Sequence, residues 1–141
     1  LGGHTADDLV LIDTTTGVLF AGGLVFAERV PTTPHADPVA WLASLDTLAQ
    51  WHANGLVRQV VPSHGPVHTG ERGLQQTRDW LRWLTTLMRE SAERGLDLSE
   101  VLRTPVPTRF AGWAAQPAEL HRSLTQWYPR AEQKVLEQRG R

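Results

Sequence analysis

Apolar residues come in short runs broken by turn residues over the first third of the chain, then settle into helical spacing. Asp8 to Asp13 (DLVLID) is a compact apolar run, Thr14-Thr15-Thr16-Gly17 supplies turn chemistry, and Val18 to Ala21 resumes the run. This predicts a hairpin in which Gly17 takes a positive φ. Gly22-Gly23 interrupts the pattern, and Leu24-Val25-Phe26 is expected as a third short extended piece. Glycine inside a strand pattern marks a bulge or a close backbone approach.

Pro31, Pro34 and Pro38 make residues 30 to 37 a loop. Asp37 reads as an N-cap with Pro38 at the first helical position, and Trp41, Leu42, Leu45, Leu48 and Ala49 form one helical face. Asn54-Gly55 closes that helix, and Leu56 to Val61 is a strand stopped by Pro62. Residues 63 to 70 are expected as loop, followed by a long helix from about Glu71 to Arg94 with Gly95 as terminator. Asp97 and Glu100 resemble a capping pair for a short helix, residues 105 to 112 read as loop, and Pro117 opens a last helix that Pro129 should kink or break. The expected order is β-β-β-α-β-α-α-α. A mixed sheet with helices covering one side fits it, although so few strands make a thin core.

Composition narrows the partners. The chain has 141 residues, 14 basic against 15 acidic, and a net charge of -1, which implies no electrostatic attraction to nucleic acid or an anionic membrane. Thirteen of the 14 cations are Arg, with Lys134 the only Lys. There is no Cys, which removes disulfides, thiolate metal sites and cysteine nucleophiles but leaves both cytoplasm and periplasm open as compartments of a soluble protein. Of the six Trp, Trp41, Trp51, Trp80 and Trp83 fall in expected helices and are assigned to packing.

Two of the six His stand at positions suited to chemistry. His4 lies in Gly2-Gly3-His4-Thr5 just before the first strand, and His64 lies in Pro62-Ser63-His64-Gly65-Pro66 just after the strand ending at Val61. Loops at strand ends are where α/β scaffolds hold reactive groups, and neutral imidazole is a good zinc ligand. His35, His52 and His121 read as ordinary surface or core residues, and His68 as a group that supports the site from behind or lies on the surface.

Gly3-His4-Thr5, Leu19-Phe20-Ala21-Gly22-Gly23-Leu24-Val25-Phe26 and Val61-Pro62-Ser63-His64-Gly65-Pro66, in this order, resemble the C-terminal half of the metallo-β-lactamase superfamily. The likeness is clearest over roughly residues 1 to 95. Glu28-Arg29-Val30-Pro31 and the Trp41-Leu42-x-x-Leu45 helix are similar to the SoxH-like zinc metallohydrolases of bacterial quinoprotein relay systems. The resemblance implies half of an αββα sandwich and zinc as cofactor. It implies that His4 completes the first zinc site and that His64 serves the second. Thr5 and the Gly65-Pro66 turn would shape the pocket wall.

Two departures bear on activity. The acid that follows Ala-Gly in the family and bridges two metals is replaced by Gly23, so the bridging ligand is lost. Asp7 and Asp8 are expected in a solvated turn or a salt bridge rather than as substitutes. The family's His-x-His-x-Asp-His motif of the N-terminal half is absent, and the remaining His are not spaced to replace it. The chain is therefore expected to be a single partial domain over residues 1–141, a truncated product or one half of a larger domain, inactive alone. Its expected partner is the missing N-terminal half or a second copy of the chain, and the parent would take a small-molecule substrate. A non-catalytic or degenerate member acting in binding or assembly is the alternative, and an unrelated α/β domain with incidental His is the third reading.

Overall fold

The computed structural model describes residues 1–140. The short strands β1 (Leu11–Asp13) and β2 (Val18–Phe20) form the expected hairpin, with Gly17 at φ +75°. Helix α1 (Pro38–Ala53) starts as the sequence predicts: the Asp37 side chain accepts from the Val39 and Ala40 amides, with Pro38 at the first position. Strand β3 (Gln59–Val61) follows, then β4 (His68–Thr69) and the long helix α2 (Arg72–Glu93). The chain closes with α3 (Leu98–Val101), α4 (Thr108–Ala111) and α5 (Ala118–Arg139).

The sheet order is β1-β2-β3-β4, antiparallel, parallel and antiparallel in turn. Register places Ile12, Leu19, Val60 and His68 across one face, and Leu11, Phe20 and Val61 across the other. The first face packs under the helices: Leu19, Val60, Trp41, Leu45, Leu74, Leu81 and Leu84 are fully buried. The second face is bare, with Leu11 66% and Phe20 45% exposed and Leu9 beside them at 89%. No helix among the described residues is long and apolar enough to cross a membrane.

Four expectations change. The third extended piece is instead a 3-10 turn over Gly22–Leu24, after which Phe26 makes a single parallel bridge to His64. The double glycine lets the chain turn there, with Gly22 at φ +52°. The loop at 63 to 70 contains β4, too short for periodicity to register, and the loop at 105 to 112 contains the single turn of α4. Helix α5 is not broken at Pro129 but continues to Arg139. Pro129 and Thr125, whose carbonyl loses its amide partner, both face solvent, so water can satisfy the freed oxygen while buried Leu124, Trp127, Tyr128 and Val135 anchor the helix on both sides.

The tryptophans are packing residues, as expected. Trp41 and Trp80 are fully buried, and Trp41 Nε1–H donates to the Leu24 carbonyl at 2.9 Å. Trp80, Trp83, Phe110 and Trp113 form one aromatic cluster that ties α4 to α2.

Candidate functional site

The loop carrying His4 lies on the start of α1. Ser44 holds it there: the Gly2 amide donates to Ser44 Oγ at 3.2 Å, and Ser44 Oγ donates to the Gly2 carbonyl at 2.6 Å. The Asp37 amide donates to the Gly3 carbonyl at 2.7 Å. Gly3 has φ +130°, and a Cβ at this position would stand 2.1 Å from the Cα of Trp41, so the close approach requires glycine.

Asp8 organises the same loop from below. One carboxylate oxygen accepts from the His4 and Thr5 amides at 3.0 Å each, and the other accepts from the Thr5 hydroxyl at 2.9 Å. His4 Nδ1 lies 3.6 Å from that second oxygen. Asp8 is therefore buried and fully employed, not the residue of a solvated turn, because desolvating a carboxylate is tolerable only where donors surround it. Asp7 is exposed. The His4 ring, part-exposed, sits edge-on to Trp41 at 5.2 Å and tilted to Phe26 at 5.8 Å.

His64 reaches the same corner from the end of β3. The Ser63 amide donates to the Val25 carbonyl at 2.8 Å and the Ala27 amide to the His64 carbonyl at 2.9 Å, which lays residues 63 to 65 alongside 25 to 27. Gly65 at φ +99° makes this possible, since a Cβ there would fall 1.9 Å from the Ala27 carbonyl oxygen. The His64 ring stands 5.5 Å from that of Phe26, so both imidazoles neighbour one phenyl ring. Desolvation, then the Arg29 cation and His4, hold the His64 imidazole below its ordinary pKa. At neutral pH it is uncharged and keeps a lone pair for a ligand.

Gly23 lies directly under His4. A Cβ at Gly23 would stand 2.2 Å from His4 Nδ1 and 2.7 Å from Cε1, so the imidazole occupies the space a side chain would need. The expected loss of an acid at position 23 thus coincides with a His4 ring folded onto the vacated backbone.

His68 has a different task from either expected role. Its Nδ1 meets the Pro66 carbonyl at 3.2 Å, and Nε2 accepts from the Gly73 amide at 2.9 Å. The ring is buried, and it ties β4 to the first turn of α2. His52 Nδ1 meets the Val57 carbonyl at 2.8 Å, and His35 and His121 are exposed.

Among the described residues no group of three or more His, Cys, Asp or Glu is placed to hold a metal ion. A catalytic zinc takes three protein ligands and an open position. The two imidazoles fit zinc by donor type but do not complete such a site.

Sequence reasoning singled out His4 and His64 and missed four residues of this corner. Asp8 was hidden because a doubled acid before a strand carries no burial signal. Trp41 was read only as packing, and Phe26 only as part of a short extended piece. Arg29 was quoted only as part of a motif, and its position depends on Glu28 at φ +55°, a left-handed backbone that no residue type in Ala27-Glu28-Arg29 announces.

No family model and no curated protein matches the chain. Solved structures do. A metallo-β-lactamase from Pontibacter korlensis superposes with a TM-score of 0.51 and 34% identity, over 57% of this chain and 38% of its own length. The metallo-β-lactamase FIM-1 from Pseudomonas aeruginosa, in its mono-zinc form, matches with a TM-score of 0.50 and 28% identity, over 58% of this chain and 36% of its own. Over the matched part the chain shares the fold of these metallo-β-lactamases. It spans little more than a third of the lactamases it matches.

Proposed function

We propose that this chain supplies the His4 and His64 side of a zinc-dependent hydrolase centre of the metallo-β-lactamase fold and is inactive by itself. The observation that carries the reading is the convergence of these two imidazoles at one end of the sheet, where the loop before β1 and the loop after β3 bring the rings to 5.8 and 5.5 Å from that of Phe26. When bound, zinc in such a centre lowers the pKa of a coordinated water to about 7 and so provides hydroxide at neutral pH. The chain's own part is positional. Asp8 fixes the backbone of the His4 loop, and Gly65 fixes the approach of His64. Thr5 contributes a wall whose hydroxyl is turned onto Asp8, and Pro66 sits on the exposed rim.

The remaining ligands would come from a complementary half seated on the bare sheet face of Leu9, Leu11 and Phe20, which gives that surface an occupant of matching apolar character. A small molecule is the substrate class, and Glu28-Arg29-Val30-Pro31 supports the SoxH-like subgroup. Purified chain should show no ester or β-lactam turnover above a zinc-free control. Turnover that a chelator and His4→Ala both abolish would overturn the inactive-half reading.

One observation favours a degenerate, binding-only member instead: the His4 ring occupies the space of the missing acid at Gly23. The two readings part on zinc. A binding-only chain takes up none even when its complementary half is supplied.

A further inference from the structure

We propose that the outer face of α2, flanked by α4 and α5, is a docking groove for an acidic amphipathic helix of a partner protein. This face shares no lining residue with the His4 and His64 corner, and its role does not depend on the function proposed above.

Two cavities of about 560 Å³ each open on this face and meet at Thr86, which lines both. The first lies between α2 and Arg109 of α4, the second between α2 and α5. Their α2 wall runs from Asp79 to Glu93, about 21 Å along the helix axis. Each cavity has an apolar floor. Trp83 stands half-buried in the first, held by Trp80 at 4.9 Å and Phe110 at 5.6 Å between ring centroids. Met88, Ala131 and Val135 line the second. A braced Trp beside a small apolar patch, rimmed by charge, has the make-up of an interface anchor rather than of a solvated helix face.

Charge indicates what the groove receives. Among the described residues, Arg82 and Arg109 in the first cavity and Arg130 and Lys134 in the second enter no ion pair. Arg109 lies instead over the Phe110 ring at 4.5 Å. Only Asp79 stands against these cations as an unpaired carboxylate of the lining, because Glu93 is taken by Arg89 at 3.1 Å. The excess is positive on a chain whose net charge is -1, so this face is complementary to an acidic partner. Since the free cations are divided between two cavities, a partner that meets all of them carries more than one carboxylate. Helices α2 and α5 spend their backbone groups internally, so the face offers side chains alone, and a segment laid on it must satisfy its own backbone. A helix does so, and apolar residues three and four apart on it can seat on Trp83 and Val135 while flanking carboxylates meet the cations.

The test titrates the 141-residue chain into a labelled synthetic peptide of about 15 residues, with Leu spaced three and four apart and Glu on both flanks. The same peptide with Lys in place of every Glu is the control. Fluorescence anisotropy gives the affinities, and the Trp83 Nε1–H resonance reports the site. The Glu peptide should bind saturably and shift Trp83, and the Lys peptide should bind at least about tenfold more weakly. Arg82→Glu and Lys134→Glu, both at exposed positions, should each weaken the Glu peptide roughly fivefold or more. Leu11→Lys with Phe20→Lys, on the bare sheet face, should leave it unchanged. Equal binding of the two peptides, or an affinity that either Glu substitution leaves unmoved, would overturn the groove. Two other occupants would also overturn it. Self-association of the chain that Lys134→Glu abolishes would give the face to a second copy. Dodecanoate binding that needs Lys134, with no uptake of the Glu peptide, would give it to a small amphiphile.

Discussion

At Asp8 a single carboxylate collects three donors from one loop, and the position of His4 depends on it. Asp8→Ala should lower stability by about 2–3 kcal/mol, since it removes charge-assisted hydrogen bonds and leaves two amides to find water. Chemical denaturation would measure that loss, and NMR should show the His4 resonances broadened or averaged. Gly23 acts on the same ring from the opposite side. Gly23→Ala should displace the imidazole, because the added methyl would begin 2.2 Å from Nδ1, with the change visible in the His4 ring shifts and small at His64. An unmoved His4 in that variant would mean that the 3-10 turn gives way instead. Residue types carried part of this legibly: His4 and His64 stand in Gly- and Pro-rich strand-end loops, where few other roles suit them. What Asp8, Gly23 and Arg29 do follows from distances between loops far apart in the chain, and no local pattern encodes those.

Elements with a strong period or a clear cap were readable, and those made by tertiary context were not. The α1 start at Asp37 and Pro38, the α3 capping box of Asp97 and Glu100, and the hairpin at Gly17 all follow from local chemistry. Strand β4 exists because its two residues pair with Gln59 and Val60, and α4 exists because Phe110 joins the tryptophan cluster. Helix α5 is held to the body through Tyr128, whose hydroxyl donates to the Leu96 carbonyl at 2.5 Å. Burial, with the carboxylates of Glu132, Glu100 and Asp97, raises the Tyr128 pKa above its ordinary 10.0. The folded state therefore releases this proton less readily than the unfolded chain, so the contribution is whole below pH 10 and is lost as pH rises through the folded value. Tyr128→Phe should cost about 1 kcal/mol at neutral pH and flatten the decline of stability under alkaline conditions. Thermal melts of both proteins between neutral and alkaline pH would check it.

On the scale of the whole molecule, one sheet face is covered by α1 and α2 and the other is open. The apolar face was foreseeable, because four short strands with one helical layer leave a surface with nothing to cover it. Leu11→Lys with Phe20→Lys should leave the chain folded, as both side chains are already exposed, and should abolish docking of a complementary half. Sedimentation velocity of the chain alone would register a second copy on that face, which the same double substitution should also remove. In the function proposed, His4 and His64 are paired contributors to a zinc centre that this chain cannot complete. Calorimetric titration of zinc into the chain, its His4→Ala and His64→Ala variants and the double variant puts that pairing to the test. Weak binding is expected, micromolar or poorer, reduced by each substitution and abolished by both together. Tight zinc uptake that survives both substitutions would contradict it.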